Sequence, residues 1–103
     1  MAKSVKVAQV SEIAPGKAKE IEVEGKTIAV FNVDGKFYAI DGVCTHVGGP
    51  LAEGDLQGCT VTCPWHGAEF DVTSGKVLGP PADDSVASYP TRTEGNDILI
   101  DMD

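Results

Sequence analysis

The stretch Thr27-Ile28-Ala29-Val30-Phe31-Asn32-Val33-Asp34-Gly35-Lys36-Phe37-Tyr38-Ala39-Ile40 decides the fold class. Residues 27–33 are largely apolar and β-branched, which favours an extended strand. Asp34-Gly35 is a strong two-residue hairpin signal, because the tight turn it favours needs positive φ at both central positions. Residues 36–40 return as a second strand. Upstream, Glu20-Ile21-Glu22-Val23-Glu24 alternates strictly, and Gly25-Lys26 reads as a two-residue turn. Glu20, Glu22 and Glu24 share one strand face, a solvated one. Val5, Val7 and Val10 alternate with polar residues, so the first forty residues read as a meander of short antiparallel strands. Towards the other end, residues 85–89 and 97–100 read as strands, with Glu94-Gly95-Asn96 between them. No long stretch has a 3.6-residue period. Ser11-Glu12-Ile13-Ala14, before Pro15, reads as one helical turn. The expected fold class is all-β, built of short antiparallel strands.

Residues 41–82 break this pattern. They hold most of the glycines and prolines and every Cys and His of the chain. They read as a loop-rich subdomain that carries chemistry, inserted in a β scaffold. At 103 residues the chain reads as one domain, 1–103. Its 42% hydrophobic and 23% charged residues are ordinary for a globular protein and exclude a disordered one. A net charge of −8 makes nucleic acid and anionic membrane poor partners and a basic protein surface a better one. The longest apolar runs are four residues, far short of the roughly twenty that span a membrane. Residues 1–10 show no continuous apolar core of a secretory signal, so the expected address is the cytoplasm. Three cysteines are an odd number and too few for a disulfide framework.

Two short motifs carry the chemistry. Cys44-Thr45-His46 and Cys63-Pro64-Trp65-His66 combine to C-x-H-x16-C-x2-H. Both histidines of the chain fall within three residues of a cysteine, which argues against coincidence. A structural zinc site could use two Cys and two His, yet zinc fingers group Cys with Cys and His with His. Here each loop mixes the two. Mixing suits a dinuclear centre in which both thiolates reach one iron and both imidazoles the other. Gly48-Gly49-Pro50 and Gly67 follow the two motifs, where glycine lets backbone N–H groups approach a buried anion.

In these motifs, and in the later Gly79-Pro80-Pro81, the chain resembles a Rieske ferredoxin. The resemblance implies one [2Fe–2S] cluster with two histidines replacing two cysteines on one iron. Cys44 and Cys63 would hold the inner iron, and His46 and His66 the outer. It also implies three stacked antiparallel sheets, the cluster at the tip of the small subdomain, and a proline loop covering it. Two ferric irons, two sulfides and two thiolates sum to zero charge, so an electron is added more easily than to a four-thiolate cluster. Rieske potentials accordingly span about −150 to +300 mV. Respiratory relatives carry a Ser and a Tyr where this chain has Ala68 and Phe70, and an extra Cys per loop where it has Gly49 and Trp65. Hydrogen bonds to sulfur raise the potential, and neither the Ala68 nor the Phe70 side chain can donate one, so a value of about −150 mV is expected. The resemblance then implies a non-catalytic electron carrier. It would take single electrons from an NAD(P)H-dependent flavoprotein reductase and pass them to a terminal ring-hydroxylating oxygenase in aromatic catabolism. It would act as a monomer and dock transiently near His46 and His66. The small Rieske-like subunit of an assimilatory nitrite reductase is the alternative; such subunits commonly lack the ligands.

Other residues carry less. Cys59 reads as a core or half-buried strand residue, about 13 Å along an unbroken strand from Cys63 and so unable to pair with it. Val47, Pro50, Leu51, Trp65, Pro80 and Pro81 form an apolar set for docking. Glu53, Asp55, Asp83 and Asp84 are the expected charged rim.

Overall fold

A computed structural model describes residues 3–23, 25–42, 51–64, 67–79 and 86–102. Their strands are β1 (Lys3–Gln9), β2 (Ala18–Val23), β3 (Lys26–Val33), β4 (Lys36–Asp41), β5 (Asp55–Gln57), β6 (Thr60–Thr62), β7 (Glu69–Asp71), β8 (Val77–Gly79), β9 (Ser88–Tyr89), β10 (Thr91–Glu94) and β11 (Asp97–Met102). Two 3₁₀ turns, Val10–Glu12 and Leu51–Glu53, are the helical elements among these residues. Three antiparallel sheets result, in the orders β1-β11-β10, β2-β3-β4-β9 and β5-β6-β7-β8.

The hairpin at Asp34-Gly35 forms as expected: Val33 faces Lys36, and φ is 52° at Asp34 and 90° at Gly35. The lack of alternation in Ile28-Ala29-Val30-Phe31 has a physical reason. Ile28 and Val30 pack on one side with Ile98 and Ile100 of the first sheet. Ala29 and Phe31 pack on the other with Val61 and Phe70 of the third. The middle sheet is covered on both faces, so β3 is apolar at every central position. Burying one side chain of this size is worth roughly 1.5–3 kcal/mol. Four adjacent buried residues make this strand the spine of the fold.

Asn32 is the buried polar residue of that spine. Its Nδ2 donates to Ile13 O at 2.8 Å and its Oδ1 accepts from Gly35 N at 2.8 Å. It thus ties the hairpin turn to the segment after the first 3₁₀ turn. That turn is capped by Gln9 N donating to Glu12 Oε1, and Glu12 also pairs with Lys19.

Five expectations need correcting. The first turn ends before Lys26 rather than at Gly25-Lys26, because Lys26 already belongs to β3 and pairs with Val23. β1 does not continue the meander; it pairs with β11, about ninety residues away, which only tertiary packing can select. The helical turn lies at Val10–Glu12, one residue early. β10 fills the stretch between the two late strands, and the described part of the earlier one is only Ser88–Tyr89. Cys59 is exposed in the two-residue turn joining β5 to β6, where Gly58 has φ of 61°. Glycine at the first position of such a turn suits a type II′ hairpin. Cys59 therefore sits at the opposite end of β6 from Cys63.

Candidate metal centre

The third sheet consists of three-residue strands, yet it positions every described part of the site. Cys63 follows β6 directly. Its thiol-bearing residue is 2% exposed and packs with Leu51, Val61, Ala68 and Phe70. Cys63 N donates to Ala68 O at 2.7 Å and Gly67 N donates to Cys63 O at 3.2 Å, closing the β6–β7 loop. Gly67 has φ of 77°, with nothing within 4 Å of an added Cβ. The turn needs glycine for its left-handed backbone rather than for space.

Residues 43–50, which carry Cys44 and His46, leave and return through one bonded pair: Leu51 N donates to Gly42 O at 2.9 Å. Gly42 N donates in turn to Thr27 O at 2.8 Å. Leu51 is fully buried in the same core cluster as Cys63. Gly54 then presses on β6 so closely that an added Cβ would lie 2.3 Å from Thr62 O. The base of the first ligand segment is therefore packed against the residue that precedes Cys63.

β8 ends at the same end of the sheet. Gly79 pairs with Glu69, the residue after Ala68. On the return, Val86 N donates to Gly75 O at 2.8 Å. Gly75 lies in the β7–β8 turn at the other end of the sheet, where Val72 N donates to Cys59 O at 2.8 Å, so it is the base of residues 43–50, the β6–β7 turn and the end of β8 that meet near Cys63. Cys44, His46, His66, Trp65 and the prolines of the 80–85 segment lie outside the described residues, as do Val47, Pro50, Asp83 and Asp84. Of the sequence-derived ligands, Cys63 is the one the described residues contain.

The donor set and its surroundings fit a [2Fe–2S] cluster. A buried, apolar-walled cysteine sits between loop bases that would bring a second thiolate and two imidazoles to the same place. Ala68 and Phe70 are both buried next to Cys63 and offer no hydroxyl. Leu51 must be removed from the proposed docking set, because it is fully buried. Leu78 on β8 was not singled out by sequence reasoning, yet it is 49% exposed, the exposed large apolar side chain among the described residues. Residues 41–85 carry seven carboxylates and one base, Lys76, so −6 of the chain's net charge of −8 falls in the segment that holds the motifs.

Three antiparallel sheets, with buried Cys63 at one end of the third, define a small all-β protein. The family model "Rieske [2Fe-2S] domain" matches residues 3–90. The chain belongs to the Rieske [2Fe–2S] family and carries one [2Fe–2S] cluster. It is 41% identical over 98 residues to the biphenyl dioxygenase ferredoxin subunit of Pseudomonas sp. (strain KKS102), covering 94% of this chain and 90% of that one. Among solved structures it matches the ferredoxin of carbazole 1,9a-dioxygenase from Nocardioides aromaticivorans IC177 with a TM-score of 0.91 at 28% identity, covering 95% and 96% of the two chains. A chain in a complex of reduced oxygenase and oxidized ferredoxin of carbazole 1,9a-dioxygenase matches with a TM-score of 0.88 at 28% identity, covering 94% and 91%. A nitrite reductase small subunit from Mycobacterium tuberculosis, at 21% identity and a TM-score of 0.88, shares the fold. No helix among the described residues is long and apolar enough to cross a membrane.

Proposed function

We propose that this chain is the ferredoxin component of a ring-hydroxylating dioxygenase system. It accepts single electrons from an NAD(P)H-dependent flavoprotein reductase and delivers them to a terminal oxygenase, catalysing no reaction alone. The observation that carries this reading is buried Cys63, set between the β6–β7 turn and the Gly42–Leu51 base of residues 43–50, in a chain 41% identical to a dioxygenase ferredoxin subunit. Cys44 and Cys63 hold one iron, and His46 and His66 the other. A cluster held there supplies a one-electron redox couple. Cys63 keeps its ligand atom out of water within an apolar wall. The Ala68 and Phe70 side chains offer no hydrogen bond to sulfur, which keeps the potential near the low end of the Rieske range, about −150 mV. The chain forms one domain, with residues 41–82 as the cluster-bearing part, and acts as a cytoplasmic monomer.

The outer imidazoles, His46 and His66, are the exit for the electron, and the partner docks around them. Leu78 extends the apolar contact and Glu53, Asp55 and Glu69 its charged rim. Such electron-transfer contacts bury under about 1,200 Å² and depend on steering. The oxygenase as partner is supported by the solved oxygenase–ferredoxin complex of the carbazole system. The nitrite reductase likeness carries the fold alone, and the four retained Cys and His ligands disfavour it.

Stopped-flow transfer from reduced protein to a dioxygenase oxygenase tests the proposal. Transfer should slow as ionic strength rises from 0.01 to 0.1 M, where the Debye length falls from about 30 to about 10 Å. Iron and sulfide at two each per chain, with salt-sensitive reduction of the oxygenase, is the expected result. A colourless zinc protein, or one that reduces no oxygenase, would overturn it.

A further inference from the structure

Asp41 ends β4, three residues before Cys44. Its carboxylate is engaged on both oxygens. Oδ1 accepts from Tyr89 Oη at 2.6 Å, and Oδ2 accepts from Ala87 N at 3.1 Å. Its backbone N donates to Ala87 O at 2.9 Å. One residue on, Gly42 is bonded to both Thr27 and Leu51 and so closes the base of residues 43–50. One residue before Ala87, Val86 is held by Gly75 as the chain returns from residues 80–85. The β4–β9 ladder beside this point is short, pairing only Ala39 with Tyr89 and Ile40 with Ser88. Side-chain bonds at Asp41 therefore carry a large share of the contact between the two segments.

We infer that Asp41, held by Tyr89 and Ala87, is a positioning residue that locks the base of the first ligand segment to the return from the Gly79-Pro80-Pro81 segment. The inference rests on the cluster reading above. Thr27, Gly42 and Gly75 fix each half separately, and Asp41 joins the halves. Hydrogen bonds to a carboxylate are roughly twice as strong as neutral ones, and the one to Tyr89 is short. Burial, and then the bond to Asp41, push the phenol up to about 12, so Tyr89 remains a donor throughout the neutral range. Rigid loop bases matter here because a ligand displaced by a fraction of an ångström changes both hold and potential.

The test compares the holoprotein with Tyr89→Phe, Asp41→Ala, the double variant and the conservative Asp41→Asn. Ile98→Val, in the core between the first two sheets, serves as a control that lowers stability away from the loops. Release of iron to a chelator and the midpoint potential are measured at neutral pH. Tyr89→Phe and Asp41→Ala should each speed iron release about tenfold, as expected for losing a hydrogen bond to a charged group. The double variant should release iron no faster than the faster single one, since both cut the same link. Asp41→Asn keeps one acceptor oxygen and should recover part of the loss. Tyr89→Phe should also shift the potential although no charge changes, while Ile98→Val should leave potential and release near wild type. Additive effects, an unchanged potential in Tyr89→Phe, or equal acceleration by Ile98→Val would reduce Asp41 to a general staple and overturn the inference. Absence of a [2Fe–2S] cluster from the wild type would instead overturn the cluster reading on which it stands.

Discussion

Gly54 couples the two ligand segments through space rather than through backbone conformation. It is not among the glycines with positive φ, but a methyl group on it would meet Thr62 O at 2.3 Å, Val61 Cγ2 at 2.9 Å and Leu51 O at 3.1 Å. Two of these are backbone atoms, which cannot swing aside. Restoring ordinary contact with Thr62 O, at 3.4 Å or more, means opening the gap by about 1 Å. The turn Leu51–Glu53 must then lift from β6, or β6 must bend. Either movement separates Leu51, and the base of residues 43–50, from Cys63. Overpacking of this kind costs about 1–3 kcal/mol. For a domain near 100 residues each kcal/mol lowers Tm by about 4–8 °C. Gly54→Ala should therefore melt at least about 5 °C below wild type, and its visible cluster band should bleach before the far-ultraviolet signal of the sheets is lost. Gly58→Ala is the matched control. It meets no atom within 4 Å and only strains a turn with φ of 61°. If Gly54→Ala melts with wild type, or no earlier than Gly58→Ala, the close approach does not hold the site together.

Three further outcomes follow from the same contacts. Gly75→Ala should be the most damaging of the glycine replacements, because φ is 78° and the added Cβ would lie 2.1 Å from Val86 O; thermal melting of the three variants side by side checks the order. Asn32→Ala should cost about 2–3 kcal/mol in urea unfolding, since it leaves Ile13 O and Gly35 N without the buried amide that served both. Tyr89 is raised from its ordinary value of 10.0 to about 12, first by burial and then by Asp41. A raised folded-state value means its contribution is complete below about pH 10 and is lost as pH climbs through about 12. Stability measured from pH 9 to 12 should fall more steeply in wild type than in Tyr89→Phe.

What the sequence disclosed, and what it hid, follows from the range of each interaction. Asp34-Gly35 announces its hairpin because the turn is decided by two adjacent residues. β2, β3 and β4 pair with their sequence neighbours and were readable in order. β5 to β8 were not, because three-residue strands are too short to show a period. The turn Gly58-Cys59 carries the glycine of a type II′ hairpin, but without a long flanking alternation it was mistaken for the inside of a strand. Pairing of β1 with β11 joins the two ends of the chain, and nothing local marks it. At the candidate site, Cys63 was legible from its motif. Asn32, Asp41, Gly54 and Tyr89 were not: their partners lie between 3 and 48 residues away, and only packing brings them together. Leu51 looked like surface because it follows a glycine-proline loop, but its side chain closes the core beneath Cys63.

The proposed ligation is mixed: two thiolates on one iron and two imidazoles on the other. The chain has three cysteines, and Cys59 is exposed at the far end of β6, so four-thiolate ligation within one chain has no source. Irons with different donors differ in electron density even when both are ferric. The Mössbauer spectrum of oxidised, iron-57-enriched protein should therefore show two quadrupole doublets of equal area with distinct isomer shifts. One doublet for two equivalent irons, or no bound iron at all, would contradict the assignment of Cys44, His46, Cys63 and His66.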